Sequence, residues 1–222
     1  MSTSPLRLPG TAGFETEDAK QALRMAVREH RSARPQRERT EAAQALAAHA
    51  IEAIGDARCV SVYVSTEHEP PTHLLLDALR ERGVRVLLPV LGPGLERCWA
   101  EYAGAEGLQV RAPGRPPEPS GEILPAHALA AAEVIIAPAL AVDADGVRLG
   151  QGGGWYDRAL RHRSEDTPVF AMVYDSELVE GAGLPRDEHD VPVDAVITPE
   201  RWFLLPGSPL SAAAQSQLGQ RS

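Results

Sequence analysis

The chain has 222 residues, 43% of them apolar and 24% charged, the composition of an ordinary soluble protein with one large or two small domains. No apolar run approaches the roughly 18 residues of a membrane span, and we expect no secretory signal at the N-terminus. The net charge of −9 argues against a nucleic-acid-binding protein, but seven basic and two acidic residues lie between positions 20 and 39. This local positive charge favours a small polyanionic ligand.

Apolar residues recur at helical and strand spacings in alternation along the first half of the chain. They follow a segment, residues 1–16, that we predict to be disordered because it is rich in Ser, Thr, Pro and Gly. The strand at 58–64, the helix at 72–82 and the strand at 84–88 are predicted to form a β–α–β unit, which implies a parallel sheet. The elements are a helix that begins at 16–18, a helix at 35–54, a strand at 58–64, a helix at 72–82 and a strand at 84–88 that Pro89 ends.

The same alternation is predicted for the second half, after an irregular region at 91–119. The tail at 206–222 is low in large apolar residues, and we predict it to be disordered. With no internal repeat or linker, residues 17–205 are predicted to form one α/β domain, a Rossmann-like, mostly parallel sheet with helices on both faces. The predicted elements are short strands at 99–102 and 108–111, a short helix at 126–132, strands at 133–137, 169–173 and 195–197, and a helix at 156–163.

The two cysteines, Cys59 and Cys98, lie in unrelated contexts and have no CxxC spacing. This pattern favours reduced, buried thiols and a cytoplasmic location over a disulfide. We expect a monomer whose partners are small molecules, with no nucleic-acid or membrane partner.

Five glycines, at 146, 150 and 152–154, lie between a predicted strand and a predicted helix. Glycine costs conformational entropy on folding, and in this position it commonly lets backbone N–H groups approach an anion. Arg148 adds bidentate donors for phosphate oxygens, and Asp157 lies where a carboxylate suits Mg²⁺. The stretch lacks the Gly-Lys-Ser/Thr of a Walker loop and the GxGxxG dinucleotide pattern. A phosphate-binding loop is favoured, and a tight turn with Asp157 at the helix start is the alternative.

Three further features have a functional and a plain structural interpretation. A basic stripe on the first helix is either a solvated face or a clamp over a nucleotide. Glu69, in the loop after a strand, is either a ligand-binding carboxylate or a surface acid. Asp190, which follows His189, belongs to a solvated acidic loop or is a second Mg²⁺ ligand. Zinc is not supported, because no second His or Cys lies at ligand spacing, and no GxSxG supports a nucleophilic triad. The stripe comprises Lys20, Arg24, Arg28 and Arg31.

Four motifs occur in a fixed order along the chain. A G-x-R-L-G-x-G-x-G-aromatic-Tyr-Asp pattern spans residues 146–157, after Pro138 and Asp143. K-x-x-x-R occurs at 20–24, S-x-x-x-E-x-x-T at 65–72 and H-D-x-x-V-D at 189–194. Together they resemble the 5-formyltetrahydrofolate cyclo-ligase family, also called 5,10-methenyltetrahydrofolate synthetases. The resemblance extends to about residue 199 and leaves only the termini outside.

This resemblance implies an ATP- and Mg²⁺-dependent ligase that closes 5-formyltetrahydrofolate to 5,10-methenyltetrahydrofolate and releases ADP and phosphate. The formyl oxygen would attack the γ-phosphate of ATP, N10 would attack the activated carbon, and phosphate would leave. Because phosphorylation turns a poor leaving oxygen into a good one, catalysis would rest mainly on positioning and charge stabilisation.

The resemblance also implies a role for each matching residue. Arg148 and Trp155 would be catalytic, and Asp157 and Asp190 would hold Mg²⁺. The substrate-binding residues would be Arg24, Val64, Glu69, Gln151, Gly152, Gly153, Gly154 and Trp155. The ATP-binding residues would be Lys20, Arg24, Arg148, Leu149, Gly150, Gln151, Gly152, Gly153, Gly154, Trp155 and Tyr156.

Three positions depart from the pattern that the resemblance implies. Trp155 stands where many members carry Tyr or Phe, so ring stacking is kept but a phenol is not. Ala112 stands where Glu is common, which removes a polar contact, and Glu133 replaces Asp. The alternatives are a paralogue that uses ATP on another formamide or carboxamide, a non-catalytic folate-binding protein, and a sugar-phosphate isomerase-like or CoA-transferase-like enzyme on a related scaffold.

Overall fold

The computed structural model describes residues 6–112, 114–180 and 183–211, in which helices and strands alternate. The helices are α1 (Thr16–Ser32), α2 (Gln36–Ile54), α3 (His73–Glu81) and α4 (Trp155–Ala159). The strands are β1 (Cys59–Ser61), β2 (Arg85–Leu91), β3 (Arg97–Glu101), β4 (Leu108–Gln109), β5 (Glu118–Pro119), β6 (Val134–Pro138), β7 (Ala141–Asp143), β8 (Arg148–Leu149), β9 (Val169–Met172), β10 (Leu178–Val179), β11 (Ala195–Ile197) and β12 (Trp202–Leu204).

A seven-stranded sheet with the order β12-β11-β9-β6-β1-β2-β3 forms the centre of the molecule. The five inner strands run parallel, and only the edge strands β3 and β12 run antiparallel to their neighbours. The chain proceeds from β1 to β2 on one side and from β6 to β9 and β11 on the other. The strand order therefore reverses between β1 and β6. Ligands in such sheets bind outside the carboxyl ends of the strands at that point. The predicted α/β class with a mostly parallel sheet is therefore confirmed.

The main core surrounds this sheet and holds α2 and α3 against it. Ile135 and Ile136 are successive residues of β6 and are both fully buried, as expected for an inner parallel strand covered on two faces. Leu46 of α2 and Leu75 of α3 are buried in the same core, where removal of apolar surface from water stabilises the fold. None of the described helices is both long and apolar enough to cross a membrane.

A second, smaller core attaches α1 to the glycine-rich stretch. Leu23 and Val27, four residues apart on α1, pack with Val147 and Leu149 beside the three-stranded sheet β10-β7-β8. The apolar stripe of α1 thereby turns its basic residues toward the loop that follows β8. This packing brings residues more than 120 positions apart into one site.

Arg31 anchors the last turn of α1 in the interior and is not part of a solvated stripe. Its Nε and Nη2 donate to the two carboxylate oxygens of Glu177, both at 2.7 Å, and Nη2 also donates to the carbonyl of Ala139 at 2.7 Å. Both charged side chains are buried, and the guanidinium also lies over the ring of Tyr174. A buried bidentate pair is costly to break, so it defines how α1 sits on the fold.

Several predicted element bounds were wrong. β2 does not stop at Pro89 but continues to Leu91. Pro89 is tolerated because Trp99, its partner in β3, exchanges its backbone hydrogen bonds with Leu124 instead, so the ladder needs no N–H from Pro89. The predicted helix at 126–132 is a 3₁₀ segment, and α4 ends at Ala159 before a 3₁₀ turn. β12 and the small sheet β10-β7-β8 were not predicted.

The predicted disorder of residues 1–16 and 206–222 falls partly on residues 1–5 and 212–222, outside the described residues. Where these segments are described, Leu6 and Leu8 pack against the second core. Ser208 is buried and donates from its hydroxyl to Asp194 at 3.0 Å. The domain bounds proposed from the sequence stay a prediction.

Candidate active site

A cavity of about 470 Å³ lies at the carboxyl ends of β1 and β6, where the sheet order reverses. This is the position at which parallel sheets bind ligands. Ten of the predicted site residues line it: Val64, Glu69, Arg148, Gly150, Gln151, Gly153, Gly154, Trp155, Tyr156 and Asp157. The remaining five, Lys20, Arg24, Leu149, Gly152 and Asp190, are not among the lining residues.

The glycine-rich stretch is built from a hairpin, β7 and β8, and a loop that leads into α4. Gly146 makes the hairpin turn with a φ of 80°, and the carboxylate of Asp143 accepts the N–H of Val147 at 2.9 Å. Gly152 and Gly154 also have positive φ values, of 101° and 55°, which glycine adopts at low cost. The loop therefore keeps its backbone close to the cavity at positions where a side chain would be strained.

Arg148 and Asp157 form an ion pair at the cavity wall, with Nη2 2.5 Å from Oδ1. Arg148 is buried, and its Nε has no hydrogen-bond partner among the described residues. An unpaired buried donor is costly unless a ligand satisfies it. The backbone N–H of Val191 lies 3.4 Å from the same Oδ1, so the acidic loop 187–190 closes this end of the site.

Lys20 and Arg24 connect α1 to the two loops of the site. Lys20 Nζ donates to Oδ2 of Asp187 at 2.5 Å and to Oδ2 of Asp190 at 2.6 Å. Arg24 Nε donates to the carbonyl of Gly150 at 3.1 Å. Both side chains are about 93% buried, with 7% of their surface exposed, so the N-terminal motif forms part of the site without lining the cavity.

The ion pairs of Lys20 shift the pKa values of two groups. Burial works to lower the pKa of Lys20, but hydrogen bonds and charge attraction from Asp187 and Asp190 outweigh it, and the pKa is raised. Burial works to raise the pKa of Asp190, but the N–H of Asp187 and the charges of Lys20 and Arg148 lower it below the usual value. Both groups are therefore charged at neutral pH.

Glu69 is held at the other end of the cavity by three donors. Its Oε2 accepts the N–H of Thr66 at 2.8 Å and the Thr66 hydroxyl at 2.9 Å, and its Oε1 accepts Nε2 of Gln151 at 3.1 Å. Arg28 in turn donates to Oε1 of Gln151 from Nε at 3.2 Å and from Nη2 at 2.9 Å. The sequence did not identify Arg28 as a support of Glu69, since helical spacing alone groups it with the other arginines.

The aromatic side chains of Trp155 and Tyr156 line the cavity. The rings of Trp155 and Trp99 meet edge to face with centroids 5.3 Å apart, and Trp155 also packs on Tyr156 at 4.9 Å. The Tyr156 hydroxyl is buried and has no hydrogen-bond partner among the described residues. Burial, together with the charge of Glu69, raises the pKa of Tyr156. The phenol therefore stays protonated at neutral pH and is available as a hydrogen-bond donor in the cavity.

The side chain of Leu149, a predicted ATP-binding residue, lies in a hydrophobic core and not at the cavity. It is 2% exposed and packs in the second core with α1. Any contact of Leu149 with a ligand would come from its backbone. Neighbouring residues of a strand face opposite sides, so Arg148, the residue before Leu149, faces the cavity while Leu149 faces the core.

Asp157 and Asp190 suit a magnesium ion whose coordination is completed by a bound substrate. No group of three His, Cys, Asp or Glu residues within the described part of the chain forms a metal site by itself. Oδ2 of Asp157 and Oδ1 of Asp190 take no hydrogen bond from the described residues, and about a fifth of each side chain is exposed. Mg²⁺ commonly binds through one or two carboxylates and the phosphates of a substrate, so these two residues fit it.

One wall of the cavity was missed by sequence reasoning. It is formed by β2, by the turn before β3 and by the segment ahead of β5. That region has no clear periodicity and was interpreted as irregular. The only sequence feature that could have indicated this wall is the pair Arg97 and Arg115, which flank the two short strands predicted at 99–102 and 108–111. The wall comprises Pro89, Val90, Leu91, Leu95, Arg97, Arg115, Pro116, Pro117 and Glu118.

Comparison with known proteins identifies the family. A model of the 5-formyltetrahydrofolate cyclo-ligase family matches residues 16–199. The 5-formyltetrahydrofolate cyclo-ligase of Mycolicibacterium smegmatis is 39% identical over 191 residues, which cover 84% of this chain and 96% of that protein. This chain belongs to the 5-formyltetrahydrofolate cyclo-ligase family. The cyclo-ligase of Escherichia coli K12 is 34% identical over 148 residues, 65% of this chain and 80% of that protein.

Solved structures agree with the cyclo-ligase assignment. The NMR structure of 5,10-methenyltetrahydrofolate synthetase from Aquifex aeolicus matches with a TM-score of 0.71 at 26% identity, covering 84% of this chain and 93% of that one. The synthetase from Mycoplasma pneumoniae shares the fold with a TM-score of 0.62 at 18% identity, covering 80% and 97%. The segment that matches the cyclo-ligase family contains every candidate residue from Lys20 to Asp190.

Proposed function

We propose that this protein closes 5-formyltetrahydrofolate to 5,10-methenyltetrahydrofolate, with ATP and Mg²⁺ required and with ADP and phosphate released. Family membership supports the reaction. The observation that carries the proposal is one cavity in which Arg148 and Asp157 lie together with Glu69 and Trp155. Arg148 and Asp157 suit the phosphates of ATP, and Trp155 and Glu69 suit the folate. One cavity can thus hold the two substrates that react with each other.

The phosphates of ATP would bind at the charged end. Arg148, with its unpaired Nε, and Lys20 would supply positive charge, and the backbone of residues 150–154 would supply N–H donors. Asp157 and Asp190 would hold Mg²⁺, which neutralises phosphate charge when bound. Lys20 would exchange its carboxylate partners for phosphate oxygens.

The folate would bind across the cavity from Glu69 to the aromatic rings. Adjacent ring N–H and amino groups of the pterin are donors, and a carboxylate oriented by Thr66 and Gln151 is the matching acceptor. Val64 would contact an apolar face of the pterin. Trp155 would stack on a ring of the substrate, a role for which its indole suffices without a phenol.

The reaction is a transfer of the γ-phosphoryl group followed by ring closure. The formyl oxygen attacks the γ-phosphorus and ADP leaves, which gives a phosphorylated imidate on N5. N10 then attacks the formyl carbon, loses its proton, and phosphate leaves with the oxygen. Arg148 would stabilise the charge on the transferred phosphoryl group, and Tyr156 would donate a hydrogen bond from its protonated phenol.

We further propose that the enzyme acts as a monomer in the cytoplasm. Cys59 and Cys98 are both free and buried, as expected for a protein of a reducing compartment. Burial also raises the pKa of both thiols, which keeps them protonated and unreactive.

The decisive assay mixes purified protein, 5-formyltetrahydrofolate and Mg-ATP, and follows the near-ultraviolet absorbance of methenyltetrahydrofolate. Product that depends on ATP supports the proposal, and folded protein that gives none refutes it. Asp157→Asn should lower kcat/KM by at least about a hundredfold, because it removes one of the two carboxylates proposed to hold Mg²⁺. Asp166→Asn is the matched control, since Asp166 is exposed and away from the cavity.

A further inference from the structure

Two cationic side chains in the cavity have no anionic partner. Arg97 and Arg115 both line it, and within the described residues neither is within ion-pair distance of a carboxylate. The Nε atom of Arg97 is buried and makes no hydrogen bond there. Glu118 lines the same wall, but it pairs with Arg111 at 3.5 Å and accepts the N–H of Leu91 at 3.3 Å. The positive charge of this wall is thus not neutralised by the protein.

The pKa of Arg97 supports the same conclusion. Burial lowers it, and repulsion from the nearby guanidinium of Arg158 lowers it further. A partly buried cation close to another cation is destabilised, and a bound anion would relieve both effects. This end of the cavity therefore favours a negatively charged ligand.

The position of Arg97 relative to the rest of the site gives the order of the ligand groups. Arg97 and Trp99 are two residues apart in β3, so they face the same side about 7 Å apart along the strand. Trp99 contacts the ring of Trp155, which lines the cavity. β1, which leads to Val64 and Glu69, is separated from β3 by β2, about 10 Å across the sheet. Glu69 and Arg97 thus lie on different sides of the cavity, and the ring of Trp155 contacts the strand that carries Arg97.

Reduced folates have the complementary order of groups. The pterin carries hydrogen-bond donors, an aminobenzoyl ring follows it, and a glutamate with two carboxylates ends the molecule. We infer that Arg97 and Arg115 form a subsite for the glutamate carboxylates of the folate substrate. This inference rests on the proposed function and adds the residues that select a folate over a pteroate, which lacks glutamate. Arg is suited to this, because its planar guanidinium binds a carboxylate through two parallel hydrogen bonds.

The first test measures steady-state kinetics of Arg97→Gln and Arg115→Gln. Each variant should raise KM for 5-formyltetrahydrofolate by about ten- to hundredfold, the effect of losing a charged hydrogen bond, while kcat and KM for ATP change little. Arg82→Gln, an exposed position after α3 and outside the cavity, is the charge-matched control. An unchanged KM in both cavity variants, with active wild-type enzyme, overturns the subsite and leaves the proposed function intact.

The second test removes the same interaction from the ligand. Calorimetric titration of wild-type protein should show 5-formyltetrahydropteroate binding about ten- to hundredfold more weakly than 5-formyltetrahydrofolate. The two arginine variants should bind both ligands equally weakly, since the partner is already absent from the pteroate. If the variants weaken pteroate binding by as much as folate binding, the arginines act through structure and the subsite is refuted. Wild-type protein that neither turns over nor binds the folate refutes the proposed function itself.

Discussion

Lys20 Nζ lies 2.6 Å from Oδ2 of Asp190, so the side chain proposed to bind phosphate holds the side chain proposed to bind the metal. The two residues are 170 positions apart, and α1 brings them together through the packing of Leu23 and Val27 on the glycine-rich stretch. Asp187 shares the same ammonium at 2.5 Å. The ammonium thus balances the charge of two carboxylates, one of which, that of Asp190, is proposed to hold Mg²⁺.

Lys20→Met should weaken nucleotide binding by about tenfold or more, because one charge-assisted contact to phosphate is lost. Calorimetric titration with a non-hydrolysable ATP analogue and Mg²⁺ measures this directly. Asp187→Asn keeps the pair between Lys20 and Asp190, and its carboxylate is half exposed, so we expect a change of about threefold or less. Equal affinities in Lys20→Met and wild-type protein would contradict the phosphate role.

Lys20 is also the only lysine in the sequence, so an amine-reactive acylating reagent has a single side-chain target. Only 7% of the side chain is exposed and its pKa is raised, both of which slow acylation. We expect the Mg-bound ATP analogue to slow the labelling of Lys20 further, measured by mass spectrometry of the peptide. The N-terminal amine serves as the internal reference. Labelling of Lys20 that does not respond to nucleotide would place the phosphates elsewhere.

The sequence was sufficient for the inner strands of the sheet and for ten of the 21 residues that line the cavity, for physical reasons. Val134 to Ala137 is a continuous apolar run, and β6 is an inner strand buried on both faces, so pattern and environment agree. The glycine-rich motif is contiguous, and its loop necessarily follows the strand that precedes it. Arg148, Trp155 and Asp157, which local signals indicated, all line the cavity.

The sequence could not distinguish residues whose roles depend on distant partners. Arg28 and Arg31 are three positions apart on α1 and have the same sequence pattern. Arg31 is nevertheless buried against Glu177, 146 residues away, whereas Arg28 is exposed and donates hydrogen bonds to Gln151. The wall with Arg97 was missed for a related reason. β3 joins the sheet through antiparallel pairing with β2 beyond Pro89, and proline normally indicates the end of a strand.

Gly146→Ala should destabilise the protein by about 1–3 kcal/mol, because the glycine has a φ of 80° and an added Cβ would lie 2.5 Å from the carbonyl oxygen of Val193. Gly153→Ala is the matched control in the same stretch. Its φ is not in the left-handed region and an added Cβ meets nothing within 4 Å, so we expect a change within about 1 kcal/mol. Urea unfolding measures both, and equal losses would disprove the steric explanation.

Glu69→Gln should raise KM for 5-formyltetrahydrofolate by about tenfold or more with little change in KM for ATP, because an amide replaces a charged acceptor. Arg28→Met should raise the same KM by only about threefold, since Arg28 is exposed and acts through Gln151. Steady-state kinetics with each substrate varied in turn tests the ranking. A larger effect of Arg28→Met on ATP than on folate would show that Arg28 supports the phosphate loop instead.

Alkaline pH should destabilise the fold, because the pKa values of all four tyrosines are raised. Burial is the leading cause for Tyr63, Tyr102, Tyr156 and Tyr174. The pKa of Tyr102 rises to about 12 from its usual 10.0, since burial is reinforced by the hydroxyl's bond to Asp77 at 2.9 Å. The native state then keeps protons that the unfolded chain loses, so stability is complete below pH 10 and falls as the pH rises above it.

For each of the buried phenols Tyr63 and Tyr156, the slope is at most about 1.4 kcal/mol per pH unit. Urea unfolding between pH 8 and pH 11, in steps of about half a unit, should therefore show a plateau followed by a decline. Tyr102→Phe removes one of these groups and should decline less steeply. In the folded protein, tyrosinate absorbance should be absent at a pH near 10, where free tyrosine is half ionised. A half-ionised spectrum at that pH would mean that the phenols are accessible to water and that burial does not set their pKa values.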